Sequence, residues 1–132
     1  MLEKAAMADD GLSSNKVLGI IRYSRNEFDK SIEPLKKAAL MGDGESAFYL
    51  GRIYIAGKGF EEGYKWVKFS AETGNPAAKQ QMEAFKEPDL VKIVADGEIL
   101  YKQLVKIVNY NKMILKRKAE KKDIRKEFLD KI

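Results

Sequence analysis

Residues 50–74, LGRIYIAGKGFEEGYKWVKFSAETG, decide the fold because the chain contains a second version of them. Displaced by 32 residues, the stretch 18–42 reads LGIIRYSRNEFDKSIEPLKKAALMG, and the two align without a gap. Leu18 coincides with Leu50, Gly19 with Gly51, Ile21 with Ile53 and Phe28 with Phe60. Lys36 coincides with Lys68, Ala39 with Ala71 and Gly42 with Gly74. A fixed period of about 20–50 residues is the signature of a repeat array, in which each unit buries its apolar face against its neighbours.

Each copy divides into two helices. In the first, Ser13 or Ser14 can cap a helix that runs to Ser24, and Arg25-Asn26-Glu27 turns the chain. The second helix is expected over 27–40, stopping at Gly42, where glycine tolerates a left-handed helix end. Pro34 inside it removes a ladder bond and predicts a bend or a late start. The second copy is expected to form helices over 45–56 and 61–73, joined by Gly57-Lys58-Gly59. Pro76 suits the first position of a further helix, 76–86, because no N–H donor is needed there. Towards the amino terminus, Lys4-Ala5-Ala6 ahead of Gly11 resembles Lys37-Ala38-Ala39 ahead of Gly42. Residues 2–9 are therefore expected to be the tail of an earlier unit.

After Glu87-Pro88-Asp89 the register is lost. Leu90, Val91, Ile93 and Val94 predict a short amphipathic helix, interrupted at Asp96-Gly97. From Glu98 the spacing Leu100, Leu104, Ile107, Asn111, Ile114 predicts a second helix with a narrow apolar seam, widened by Val105, Val108 and Leu115. Such a face can cover the open end of an array. The division expected is a repeat domain over 1–87, with two full units and partial units at each end. An extension over 88–132 would supply a capping helix and a long basic helix.

Composition narrows the chemistry. The chain has 132 residues, 45% hydrophobic and 34% charged, with no cysteine and no histidine. Thiol nucleophiles, Cys/His zinc sites, Ser-His-Asp triads and imidazole acid–base chemistry are excluded. No disulfide can form, no apolar run approaches the roughly 20 residues of a membrane helix, and the first residues lack an apolar leader core. A cytoplasmic protein without a cofactor, a metal or a membrane partner is the expectation. The net charge of +5 is unevenly placed. Residues 1–87 hold 13 Lys/Arg and 13 Asp/Glu, whereas residues 88–132 hold 12 and 7. The basic half points to an anionic partner.

The second copy resembles the Sel-one-like repeat, a relative of the tetratricopeptide repeat among α/α solenoids. The residues that carry the resemblance are Ala47, Leu50-Gly51, Tyr54, Gly57-Lys58-Gly59, Trp66, Ala71 and Gly74, followed by Ala78. Ser70 replaces the first alanine of the usual pair. The first copy keeps Leu18-Gly19, Ala38-Ala39 and Gly42 but lacks the tyrosine, the Gly-Lys-Gly turn and the tryptophan. The resemblance covers residues 4–86, with a shorter connection from Gly59 to Trp66 than is usual in the family. It implies an all-α fold, a short right-handed α/α superhelix of about two and a half units closed by carboxy-terminal capping helices. It implies a non-catalytic adaptor or scaffold that binds a protein or peptide on its concave face. Carried over by register, that face comprises Lys16, Ile20, Tyr23, Phe48, Arg52, Ile55 and Gln80. Phe48 and Ile55 could equally pack between helices.

The basic tail carries a second reading. Lys118, Lys121, Lys122 and Arg125 share a helical face suited to phosphate, making nucleic acid an alternative partner. Tyr110 lies near that run, Phe128 is expected on the apolar side, and no stacking platform or named nucleic-acid motif accompanies it. The same helix could instead mediate self-association. Gly57-Lys58-Gly59 lacks the preceding strand and the glycine spacing of a phosphate loop and is an inter-helix turn.

Overall fold

A computed structural model describes residues 11–130, without the side chains of Lys58, of residues 122–128 and of Asp130. The amino-terminal residues expected to end an earlier unit lie outside the described residues. Among the described residues every regular element is helical. Six α-helices follow one another: α1 Leu12–Ser24, α2 Phe28–Leu40, α3 Gly44–Ile53, α4 Phe60–Glu72, α5 Pro76–Met82 and α6 Val91–Asp130.

The period of 32 is carried into three dimensions. Helices α1, α3 and α5 begin at residues 12, 44 and 76, while α2 and α4 begin at 28 and 60 and end at 40 and 72. The ends repeat as well. Asp43 caps α3 by accepting from Ser46 N at 2.9 Å, and Asn75 caps α5 by accepting from Ala78 N at 3.1 Å. Gly42 and Gly74, at φ 102° and 101°, turn the chain ahead of these caps in a conformation that a side chain would strain. The hairpin contacts repeat too. A Cβ on Gly19 would lie 2.7 Å from Leu35 Cγ, and one on Gly51 would lie 2.7 Å from Val67 Cγ2. Leu35 and Val67 are themselves 32 residues apart, so each Leu-Gly pair is where the first helix of a unit meets the second.

Two local departures have physical causes. Pro34 is buried in the middle of α2, yet the helix runs on to Leu40. The carbonyl that Pro34 leaves without its helical donor is that of Lys30. Arg22 Nη1 of α1 donates to it at 3.1 Å. The second departure is at the end of α3, which widens into a π-helical turn over Tyr54–Lys58, closed by Gly59 N donating to Tyr54 O at 2.9 Å. The wider turn takes up the residues ahead of α4 and makes the short connection to Trp66.

Helix α6 is continuous where a break was expected at Asp96-Gly97. Gly97 is buried against α4, and a Cβ there would meet Tyr64 Cγ at 2.9 Å. The glycine is a point of close approach between helices. The inward row of α6 is Gly97, Tyr101, Leu104, Val108 and Asn111, spaced 4-3-4-3. Ile107, expected in the seam, is 48% exposed.

Helix α6 packs along α4 and reaches α2. Leu104 and Val108 join Leu35, Ala39, Ala47, Leu50, Ile53, Trp66 and Phe69 in the larger core cluster. The core therefore runs across residues 87–88. Tyr64, Val67, Ala71, Ala78 and Phe85 form a second cluster, on which Phe48, Ile55, Leu90 and Val94 pack.

Polar contacts fasten the long helix. Tyr64 Oη and Lys68 Nζ both donate to Glu98 Oε1, and Lys68 Nζ lies 4.6 Å from the centre of the Tyr101 ring. Asn111 Nδ2 donates to Leu40 O at 2.8 Å, occupying a carbonyl left open at the end of α2. Burial by itself would raise the Glu98 carboxyl, but the hydrogen bonds from Lys68 and Tyr64 outweigh it and hold the carboxyl below its usual range. Burial, then the bond to Glu98, push the Tyr64 phenol well above its usual value.

Candidate functional site

The concave feature of interest lies where the α1–α2 turn faces the end of α3. A half-open pocket of about 410 Å³ is lined by Tyr23, Phe28, Arg52, Ile53, Ala56 and Gly57. The repeat builds it. Tyr23 ends α1, Phe28 begins α2, Arg52 and Ile53 end α3, and Ala56 and Gly57 lie in the π-helical turn. That wider turn is the type of irregularity that recurs at functional sites.

Aromatic rings connect the pocket to the second unit. Tyr23 meets Phe28 edge to face at 5.2 Å and lies 4.7 Å from Tyr49, which is 5.9 Å from Phe48. The Arg52 guanidinium lies 5.7 Å above the Phe48 ring and also borders the pocket. The resulting run, Phe28–Tyr23–Tyr49–Phe48–Arg52, crosses from one unit to the next. A guanidinium on an aromatic face is held in place yet keeps its N–H groups available for a planar acceptor.

The residues expected to line one face separate into several environments. Tyr23 and Arg52 come together at the pocket. Ile20 packs with Tyr23 against the larger core cluster, and Phe48 and Ile55 pack on the second one. Lys16 is engaged in two ion pairs, with Asp43 at 3.3 Å and Glu45 at 3.0 Å. The hydrogen bond to Glu45, opposed by partial burial and aided by Asp43, raises the Lys16 pKa. Lys16 therefore ties α1 to the start of α3. Gln80 is exposed on α5. Phe28, Tyr49, Ile53, Ala56 and Gly57 are not among the residues expected there. Phe28 was visible as a repeat match with Phe60, and the Gly-Lys-Gly motif marked the turn, but neither signalled a cavity.

On α6, residues 116–121 are all exposed. Lys118 and Lys121 belong to this segment, whereas the side chains of Lys122 and Arg125 lie outside the described residues. Among the described residues no group of three carboxylates is placed to hold a metal ion, and no helix is long and apolar enough to cross a membrane.

Comparison of the chain with protein-family models, with curated proteins and with solved structures returned no match.

Proposed function

We propose that this chain is a non-catalytic protein-interaction module, a short right-handed solenoid of Sel-one-like units that holds a segment of a partner protein. The observation that carries the reading is the aromatic run ending at Arg52 beside the pocket. Tyr, Phe and Arg side chains in a partly enclosed site are the residue types that dominate binding energy at protein interfaces. The pocket brings three of them together across two units. In this reading the partner lies against the first helices of the units, with one side chain in the pocket and the chain continuing past Phe48.

The test is affinity capture from cells that naturally contain the protein, with quantification by mass spectrometry. Phe28→Ser and Arg52→Glu change exposed side chains and should leave the circular dichroism spectrum unaltered. We expect at least one captured protein to be lost from both variants and retained by Lys79→Glu on α5. Identical partner sets for all four proteins would overturn the reading.

Nucleic-acid binding through 112–126 is the second reading, favoured by the exposure of Lys116, Arg117 and Lys121. It demands affinity that falls steeply with salt. Anisotropy of a labelled oligonucleotide at two salt concentrations measures this, and no binding at low salt removes it.

A further inference from the structure

The outward side of α6 carries large apolar residues that its inward packing does not use. Ile99, Gln103, Lys106, Tyr110, Met113 and Arg117 follow one another at intervals of 4, 3, 4, 3 and 4 residues. This is the same alternation as the inward row, displaced by two residues, which places it on the opposite side of the helix. Every one of the six is exposed, with Ile99 at 59% and Tyr110 at 60%. A helix face that carries apolar residues at such spacing can receive a second helix.

The seam is mixed in character. Ile99, Tyr110 and Met113 are apolar anchors, and Ile107 beside them is 48% exposed. Lys106 and Arg117 stand in the seam itself. Between Ile99 and Ala119 the chain has six Lys/Arg (Lys102, Lys106, Lys112, Lys116, Arg117 and Lys118) and no Asp or Glu. Over about 30 Å of helix, at roughly 1.5 Å per residue, every charged side chain of that stretch is positive, with Glu98 beside Lys102 at one end and Glu120 following at the other.

We propose that this face docks an acidic amphipathic helix of a partner protein, whose apolar residues meet Ile99, Tyr110 and Met113 and whose carboxylates meet Lys106 and Arg117. A second copy of the chain would bring the same lysines and arginines against each other, and like charge at close quarters opposes that pairing. A phosphate backbone would satisfy the cations and leave the apolar anchors in water. A bilayer surface would accept Ile99 and Met113, but Lys106 lies between the apolar anchors Ile99 and Tyr110, on the line that would have to be buried rather than at its edge. An acidic helix satisfies both residue types at their observed spacing. This surface is separate from the pocket, so either assignment can fail without the other.

The experiment is selection of random 18-residue peptides displayed on phage against the whole protein, followed by fluorescence anisotropy with the enriched peptides. The expected sequences carry apolar residues three or four apart, interleaved with Asp or Glu. Their affinity should fall at least tenfold for Tyr110→Ser/Met113→Ser and for Lys106→Glu/Arg117→Glu. Peptides with their acids changed to lysine should recover binding to the second variant. These substitutions are on exposed positions, and unchanged circular dichroism and thermal midpoint confirm the fold. Enrichment of no acidic amphipathic sequence, or equal binding to wild type and both variants, would overturn the proposal. So would equal competition by a single-stranded oligonucleotide or anionic vesicles, which would mark a general polyanion surface. Dimerisation through this face in light scattering would assign it to a second copy instead.

Discussion

Trp66 and Pro34 stand at the same place in successive units, and each is buried. Trp66 fills the larger core cluster at 1% exposure, while its Nε1 has no hydrogen-bond partner among the described residues. Its contribution is therefore volume, reduced by an unpaired N–H. We expect Trp66→Ala to cost about 3–5 kcal/mol in urea denaturation, the range for emptying an aromatic site. Trp66→Phe should cost under about 1.5 kcal/mol, because the lost volume is partly offset by removing the buried unpaired donor. A Phe variant as unstable as the Ala variant would show that the N–H is satisfied. For Pro34, the Arg22 bond to Lys30 O predicts that Arg22→Ala costs about 0.5–1 kcal/mol. In a Pro34→Ala background the helix supplies its own donor to Lys30 O, so the Arg22→Ala cost should vanish. Equal cost in both backgrounds would remove the bond from the account.

Gly97 belongs to the same scale. Reading it as a helix breaker rested on its low propensity, about 1 kcal/mol below alanine in a helix interior. The packing of Tyr64 overrides that propensity, because the ring occupies the place of the missing side chain. Gly97→Ala should destabilise the protein by about 1 kcal/mol despite the better helix former, since the buried ring is also tied to Glu98. A more stable Gly97→Ala protein would contradict this.

At the scale of elements, the repeat was legible and the placement of α6 was not. Small residues at 19 and 51 and large ones at 35 and 67 recur at the period, because the same helix pair is built twice. The ends of α2, α4 and α5 fall within a few residues of expectation for that reason. The direction in which α6 faces depends on contacts far apart in sequence, Gly97 with Tyr64 and Asn111 with Leu40, which no local pattern encodes. Apolar residues fall on more than one 4-3 row of that helix, and only the packing distinguishes the inward row from the others.

The Tyr64–Glu98–Lys68 contacts give α6 a pH dependence. A carboxyl held below its usual value contributes stability that is present above its unfolded pKa and is lost as pH falls through the folded one. A phenol held above its usual value contributes stability that is present below its unfolded pKa and declines as pH rises beyond it. The attachment of α6 should therefore be strongest between about pH 5 and pH 9. Urea midpoints measured across pH should fall on the acid side, and Glu98→Gln should flatten that limb. An unchanged acid limb in the variant would show that Glu98 is not a group whose titration loosens the helix.

At the scale of the whole molecule, α6 joins the two units into one core, since Leu104 and Val108 share a cluster with Leu35, Leu50 and Trp66. The pocket lies between the units, with α1 and α2 supplying one wall and α3 and its π-helical turn the other. Tyr23 and Arg52 were legible as candidates because the repeat register places them on first helices. Phe28 was not, because it reaches the pocket from the start of α2, and neither were Ala56 and Gly57, whose path depends on the π-helical widening after Ile53.

The central claim, that this pocket receives a partner protein, is tested most directly by a photocrosslinking residue placed at position 28. Phe28 is 41% exposed at the rim, so a benzoyl-phenylalanine there should leave the fold intact and point at the bound segment. The account predicts a discrete adduct on irradiation in cells, lost in the Arg52→Glu background and retained in Lys79→Glu. No adduct, or one indifferent to Arg52→Glu, would contradict it.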